Sequence, residues 1–258
     1  MNTDAGNRRT YWIVGASSGI GLEIAQLLAS ERHFVIASAR SEEKLEALQR
    51  RYPTNVAVVP LDVSDRFSIE EAEIKLRDVT DHIDTLIACA GTCEYDDHLK
   101  FPREMYESIT KVNYLGVVEC VRMALPFLRE SNNRPHISAI GSLSSVVPFP
   151  RAAAYGASKA AVDYFMQSLK IDLKVDGIDV TVIRPGFVDT PLTEKNDFDM
   201  PFIMASSDAA KCIVEKLDRR PMFLDFPSRL AFPLKLMRLV PSFWMRIVAP
   251  SMKKQEAI

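Results

Sequence analysis

Between Thr10 and Pro191, short β-rich runs alternate with stretches of helical periodicity, and the first run ends in a glycine-rich turn. Thr10-Tyr11-Trp12-Ile13-Val14 leads into Gly15-Ala16-Ser17-Ser18-Gly19-Ile20-Gly21, after which Ile20, Ile24, Leu27 and Leu28 recur at helical spacing. Strand, small-residue turn and helix in that order aim backbone N–H groups and a helix N-terminus at a diphosphate. Small residues are needed there so that the backbone can approach the phosphates and the helix can pack on the sheet. Further strands are expected at Phe34–Ala37, Val56–Val59, Ile83–Ile87, Arg134–Ile140 and Ile178–Ile183. Helices are expected after Ser64-Asp65, from Arg103 to Glu130 and from Arg151 to Lys174. The pattern predicts an α/β fold, one domain with a doubly wound parallel sheet, helices on both faces, and ligands at the C-terminal strand ends. Residues 1–193 form the core in this reading; residues 194–258 add a flap and a variable helical extension.

The second strand ends Ser38-Ala39-Arg40-Ser41, where an NAD-binding unit would place a carboxylate on the adenosine ribose. Nothing there repels a 2′-phosphate, and the Arg40 guanidinium offers it a fork of donors. The alternative is that Arg40 is a solvated cap on the helix that Ser41-Glu42-Glu43 starts, but the missing carboxylate still shifts the balance to NADP(H) over NAD(H). Composition sets outer limits. The 258 residues are 47% hydrophobic and 26% charged with a net charge of −2, which suits a globular protein and not a nucleic-acid binder. Cys89, Cys93, Cys120 and Cys212 lie in apolar or helical segments without metal-ligand spacing, so reduced core thiols and no metal are expected. The polar stretch Met1–Arg9 carries no signal-peptide pattern, and no run reaches the ~18 apolar residues of a membrane span.

The chemistry centres on Ala154-Tyr155-Gly156-Ala157-Ser158-Lys159, read as the second turn of the Ala-rich helix. Residues i and i+4 share a helix face, so the Tyr155 phenol and the Lys159 ammonium project the same way. A neighbouring cation favours the phenolate and is expected to lower a pKa that is ordinarily near ~10. Asn113 interrupts an apolar helical stretch and is either a structural plug or a site residue. Ala88-Cys89-Ala90-Gly91 again sets small residues at a strand end.

Taken in order, Gly15-x-x-x-Gly19-x-Gly21, Asp62-Val63, Ala88-Cys89-Ala90-Gly91, Asn113, Ser142, Tyr155-x-x-x-Lys159 and Pro185-Gly186-x-x-x-Thr190 resemble the short, single-domain branch of the short-chain dehydrogenase/reductase superfamily. The resemblance spans roughly Thr10 to Thr193. It implies hydride transfer between NADP(H) and a carbonyl or alcohol, with Tyr155 as general acid/base and Lys159 tuning it and binding the nicotinamide ribose. Ser142, thirteen residues before Tyr155, would hold the substrate oxygen, where Ser144 and Ser145 have the wrong spacing. Asn113 would hold a water that links Lys159 to solvent. Gly15, Ser17, Ser18, Gly19, Ile20, Gly21, Arg40, Asp62, Val63, Ala90, Gly91, Pro185, Gly186, Val188 and Thr190 would contact the cofactor. Of these, Asp62 and Val63 would meet adenine and Thr190 the carboxamide. The family usually has Asn-Asn where this chain has Ala88-Cys89, so hydrogen bonds that steady the strand must come from elsewhere. Two other functions can be weighed: an epimerase or dehydratase of the extended branch, with different glycine spacing, and a non-catalytic nucleotide sensor, which would typically lose the Tyr or the Lys.

Past Thr193 the acidic, then apolar stretch from Glu194 to Phe202 reads as a mobile flap, and Ser206-Ser207-Asp208 as the cap of a helix to Leu217. From Phe226 onward six basic residues against a single Glu256 give the tail +5 and leave −7 for residues 1–225. Its apolar residues include Phe232, Leu236, Leu239, Phe243, Trp244 and Ile247, and Pro227, Pro233 and Pro241 are expected to break it into short helices. Such a segment can lie on a membrane, cover a hydrophobic substrate pocket or join subunits. The expected setting is the cytoplasm, with a small-molecule carbonyl or alcohol substrate and a homo-dimer or homo-tetramer built on the Asn113 and Tyr155 helices; membrane association through residues 226–258 and a hydrophobic substrate stay as alternatives for the tail, with the membrane the less favoured.

Overall fold

The computed structural model describes residues 8–96 and 98–252, so the first seven residues and Lys253, Lys254 and Glu256 of the basic tail lie outside the described residues. Strand β1 (Thr10–Val14) is buried at all five positions, as a β-branched and aromatic run covered on both sheet faces must be. Trp12 is wholly buried, and its indole N–H donates to Ser38 Oγ at 2.8 Å. The chain then alternates through α1 (Gly19–Ser30), β2 (Phe34–Ser38), α2 (Glu42–Arg51), β3 (Val56–Val58), α3 (Arg66–Val79) and β4 (Thr85–Ala88). It continues through α4 (Arg103–Thr110), α5 (Gly116–Arg129), β5 (His136–Ile140), α6 (Ala153–Asp172) and β6 (Asp179–Pro185). Short strands β7 (Val188–Asp189) and β8 (Met204–Ala205) pair apart from the main sheet; α7 (Ser206–Leu217), β9 (Phe223–Phe226) and α8 (Ser228–Leu239) follow.

Seven strands form one parallel sheet in the order β3-β2-β1-β4-β5-β6-β9. Strand order reverses between β1 and β4, which register Val14 beside Ala88, and the crevice above that switch point is where such sheets bind ligands. Two hydrophobic clusters cover the two sheet faces: Val117, Val121, Val162 and Met166 on one, and Ile24, Leu28, Leu45 and Ile213 on the other.

Several expected boundaries shift. The stretch expected as one helix from Arg103 to Glu130 is α4 and α5 joined by a π turn at Lys111–Leu115, with Asn113 at its centre. Tyr155 stands in the first turn of α6 and Lys159 in the second, one turn earlier than expected. Asp65 caps α3 as expected, accepting from Ser68 N at 2.8 Å. Ser206 does not cap α7; it is the helix's first residue, and Asp208 occupies the first turn. Pro233 lies inside α8 without breaking it, because it sits on the exposed side, where water meets the carbonyl it leaves unbonded. After Pro241 the tail runs on as three short helical pieces, Pro241–Phe243, Trp244–Val248 and Ala249–Ser251.

Trp244 fastens the tail to the core. Trp244 is buried among Leu143, Val146 and Val147, stacks edge-on to Phe149 at 5.4 Å, and donates from its ring N–H to Pro148 O at 2.7 Å. A buried Trp with a satisfied N–H typically contributes about 3–5 kcal/mol. Gly186 admits the tail from below: a Cβ there would stand 2.7 Å from Leu230 Cδ2. Among the described residues, no helix is long and apolar enough to cross a membrane.

Candidate active site

The Gly-rich turn packs against the end of β4. Gly15 has φ +94°, and a Cβ there would meet Ala90 N at 2.7 Å, so conformation and space both exclude any other residue. Ser18 stands in extended conformation ahead of α1 and makes no side-chain capping bond, leaving the helix's first amides pointing past Ser17, Ser18 and Ile20. Gly19 closes the turn against Thr190, whose Cγ2 would stand 3.0 Å from an added Cβ. The Pro185–Thr190 loop thus reaches the glycine loop across the crevice. These small residues leave the backbone cradle that a dinucleotide diphosphate needs.

At the crevice's other end, Arg40 is exposed beyond β2. Asp62 accepts from Ser64 N at 2.9 Å and Ser64 Oγ at 2.6 Å. Burial pushes its carboxyl up, but those bonds and the Arg40 and Lys111 charges outweigh it and hold the carboxyl below the usual range. Arg40, Asp62 and Lys111 therefore share one rim; Lys111 was not foreseen, since it has no motif of its own. Val63 is buried against Gly116, so its side chain serves the core rather than the crevice.

Ser142, Tyr155, Lys159 and Asn113 converge between these ends. Ser142 hydrogen-bonds the Tyr155 hydroxyl, and Lys159 Nζ donates to Ile140 O at 2.8 Å. Gly91 faces both Asn113 and Lys159: a Cβ there would stand 3.4 Å from Asn113 Oδ1 and 3.5 Å from Lys159 Nζ. The electrostatics differ from expectation. Lys159 is only 4% exposed, and burial lowers its pKa to about 8 against the raising effect of Cys89, Cys93 and Asp163. The Tyr155 phenol is raised, first by burial and then by the Cys93 sulfur, with only the Ser142 bond pulling it down. Lys159 does not offset this because its ammonium is turned to Ile140 O and lies 5.7 Å from the Tyr155 ring centroid.

Asn113 also spends its amide differently. Oδ1 accepts from Thr92 N at 2.8 Å, while Nδ2 donates to Thr92 O at 2.9 Å and Ser158 Oγ at 3.0 Å. The side chain clamps the strand end after Gly91 to α6, supplying hydrogen bonds there in a chain that has Ala88 and Cys89 for the usual amides. Cys89 is half-buried against one core cluster, and that burial pushes its thiol pKa up to about 12.

Beneath Ser142 lies a polar network with no motif to announce it. Ser145 Oγ is 2.7 Å from Ser142 O and 2.6 Å from Asp163 Oδ2. Ser145 Oγ lies within donating distance of both acceptors and has one proton to share between them. Burial pushes the Asp163 carboxyl up, against the pull of Ser145 and Arg184, and Asp163 Oδ1 has no partner, which a neutral carboxyl tolerates better than a carboxylate. Arg184 reaches Asp163 Oδ2 at 3.3 Å but forms its two short bonds, 2.7 and 2.9 Å, with Asp225. Lys235 also pairs with Asp225. Ser144, set aside on spacing, has its Oγ buried without a partner and lines the cleft beside Ser142.

Above Tyr155 opens a cleft of about 640 Å³. Its walls include Tyr95, Phe149, Phe187, Phe198, Leu230 and Leu234, gathered from five separate segments. Glu194–Phe202, expected to be a mobile flap, is tied down: Tyr95 OH donates to Asn196 Oδ1 at 3.0 Å and Arg151 pairs with Asp197 at 2.9 Å. Phe198 stands edge-on to Tyr95 and Phe187, at 5.6 and 6.0 Å. Among the described residues, no group of three His, Cys, Asp or Glu side chains gathers in a metal-binding arrangement.

Residues 9–200 match the family model described as short chain dehydrogenase. An uncharacterised oxidoreductase of Myxococcus xanthus (strain DK1622) is 33% identical over 237 residues, covering 91% of this chain and 93% of that one. The NADP-dependent 3-hydroxy acid dehydrogenase YdfG of Salmonella typhimurium (strain LT2) is 36% identical over 177 residues, 68% of this chain and 71% of that one. A short-chain dehydrogenase from Sphingobium yanoikuyae in complex with NADPH superposes with a TM-score of 0.78 at 25% identity, over 93% of this chain and 96% of that one. One from Burkholderia phymatum in complex with NAD superposes with a TM-score of 0.82 at 19% identity, over 92% and 95%.

Proposed function

This chain belongs to the short-chain dehydrogenase family and is an NAD(P)-binding oxidoreductase, and on that footing we propose that it interconverts apolar carbonyl compounds and alcohols with NADP(H). The observation that carries the reading is the pairing of Ser142 and Tyr155 at the floor of an apolar cleft, with Lys159 one helix turn on and facing Gly91. Bound NADPH supplies the hydride. Ser142 holds the carbonyl oxygen, and Tyr155 hands its phenolic proton to that oxygen as negative charge develops. Lys159, charged below about pH 8, binds the cofactor's ribose. Asn113 holds the Thr92 backbone and α6 in place around Lys159, with a water on its main-chain carbonyl as the proton route. Arg40 takes the 2′-phosphate, with Lys111 on the same rim; Asp62 meets adenine, and Pro185, Gly186, Val188 and Thr190 close on the nicotinamide end.

Residues 1–193 hold cofactor and catalysis in this reading, and residues 194–258 choose the substrate. Four free cysteines fit a reducing, cytoplasmic setting. Leu115, Tyr164 and Ile171 are exposed on the π turn and α6, which supports a homo-oligomer joined through those helices.

The test is NADPH consumption over a panel of aliphatic aldehydes and ketones. Tyr155→Phe is expected to lower kcat by about 10²–10⁴ with NADPH binding retained; a near wild-type rate removes Tyr155 from the mechanism. In the same assay Arg40→Ala is expected to raise the KM for NADPH about tenfold and leave that for NADH unchanged, as loss of one charge-assisted contact requires. Equal changes for both cofactors end the phosphate assignment.

A further inference from the structure

Helix α8 carries an apolar stripe on each side. Ala231 and Leu234 are buried against the Trp244 cluster, with Leu230 and Met237 packed beside them. On the opposite side Phe232, Leu236 and Leu239, spaced i, i+4, i+7, form a second stripe that faces water at 72%, 50% and 76% exposure. Three turns of helix therefore expose large apolar groups that nothing in the fold covers. The face continues through Phe243, Met245 and Ile247 in the following helical turns, all about half exposed. The other such set in the described residues, Tyr164, Ile171 and Val175 on and just after α6, lies among charges of both signs, Lys170 and Lys174 with Asp172 and Asp176.

The charges around this face have one sign. Arg229, Lys235, Arg238 and Arg246 are all exposed, and residues 227–252 contain no Asp or Glu. On the α8 wheel Arg229 flanks the outer stripe on one side, and Lys235 and Arg238 flank it on the other. Lys235 reaches back to Asp225, which leaves three arginines without any acidic residue in their own segment.

We propose that this face docks on an anionic lipid bilayer, with the Phe232-Leu236-Leu239 stripe in the headgroup boundary and the arginines on lipid phosphates. A second copy of the chain fits less well. A two-fold interface sets a patch against itself, so the same arginines would face one another across it. Pairing instead with the acidic remainder of another copy makes a head-to-tail contact that does not close. A bilayer needs neither compromise, since it offers negative charge above and hydrocarbon below.

Docking there has a consequence for the cleft. Leu230 and Leu234, on the inner side of the same helix, wall the substrate cleft, and Ser251 and Met252 at the tail's end line it as well. A bilayer under α8 lies one helix thickness from that wall, where a long-chain carbonyl or alcohol dissolved among lipids can enter without crossing water. This part rests on the reading of the cleft as a substrate site; the docking itself does not.

The experiment is flotation of the full chain with vesicles of phosphatidylglycerol and phosphatidylcholine in equal parts, compared with phosphatidylcholine alone. The chain is expected to float with the anionic vesicles and to lose at least tenfold of that binding on neutral ones or in about 0.5 M salt. Phe232→Asp/Leu239→Asp, both at exposed positions, should abolish flotation while NADPH binding, followed by nucleotide fluorescence, stays unchanged. Absence of the wild type from the floating fraction overturns the proposal. So does a dimer in sedimentation equilibrium that this double variant converts to monomer, because the face then belongs to a second copy. Flotation and catalysis are read separately, so an inactive chain that floats refutes the proposed reaction and leaves the docking standing.

Discussion

The floor and the roof of the cleft are built by opposite means. The floor is polar: Ser142, Ser145, Asp163, Arg184 and Asp225 form a buried chain of hydrogen bonds, all but one of those traced here 3.0 Å or shorter. Arg184 and Asp225 sit in sheet strands, Asp163 in the long helix α6, and Ser142 and Ser145 in the short turn that follows β5, so most of the network is placed by the regular part of the fold. The roof is apolar and irregular, with Tyr95, Phe149, Phe187, Phe198 and Leu230 brought in from loops and from the tail. A buried polar network fixes geometry because each misplaced atom leaves a donor or acceptor unmet. An apolar roof gives area and exclusion of water and tolerates shifts that the floor does not. The difference assigns rate to the floor and substrate affinity to the roof.

The largest expected effect that separates the two is at Asp163. Asp163→Ala removes the group that holds Ser145 on Ser142 O, and kcat is expected to fall about 10–100-fold with the KM for NADPH unchanged. Asp163→Asn keeps the shape and a polar atom toward Ser145 and should stay within about threefold of wild type. Equal damage in both variants would mean that the ionised carboxylate is what matters; a wild-type rate in Asp163→Ala would remove the floor's claim to position Ser142.

Next comes pH. Lys159 has its ordinary pKa of 10.5 lowered to about 8 by burial, so its charge is lost as pH rises through 8. The kcat/KM for carbonyl reduction is expected to fall about tenfold per unit above that point. Lys159→Arg, which does not titrate, should remove this limb whatever it does to the absolute rate; a limb that survives belongs to another group. The stability effect has the opposite sign. Between about pH 8 and 10.5 the unfolded chain binds more protons at this site than the folded one, so the cost of burying Lys159 weighs fully below pH 8 and is relieved above it.

The smallest effect is in the roof. Phe198→Ala removes a ring packed on Tyr95 and Phe187, and the KM for an aliphatic ketone is expected to rise about 3–10-fold with kcat within twofold. A fall in kcat instead would make Phe198 part of the machinery that orients the reacting atoms, and the division between floor and roof would fail.

Ser142, Tyr155 and Lys159 were legible because each sits at a fixed offset within a regular element, and a helix or strand converts an offset into a direction. Asp163 obeys the same rule, eight residues after Tyr155 on one face of α6. It was passed over because its partners Ser145 and Arg184 come from other elements. Arg184, a charge inside the strand Val182-Ile183-Arg184-Pro185, was the available hint. The π turn at Asn113 was not legible, since the sequence there reads as ordinary helix. The bonds from Asn113 to Thr92 and Ser158 exist only once β4 and α6 are in place. The same holds for the pKa of Tyr155: a Lys four residues on predicts a lowered value, but the orientation of Nζ toward Ile140 and the burial of the phenol reverse it.

The sequence by itself determined the order of strands and helices, the glycine loop, the helix face shared by Tyr155 and Lys159, and the charge and apolar content of the tail. These depend on near neighbours along the chain, where backbone geometry leaves few choices. Tertiary structure decided which tail residues face the cleft and which face water, which aromatic groups meet above Tyr155, and which of two opposing influences wins at each buried titratable group. Those outcomes depend on distances and burial between residues far apart in the chain, quantities that do not exist until the sheet and its helices have closed.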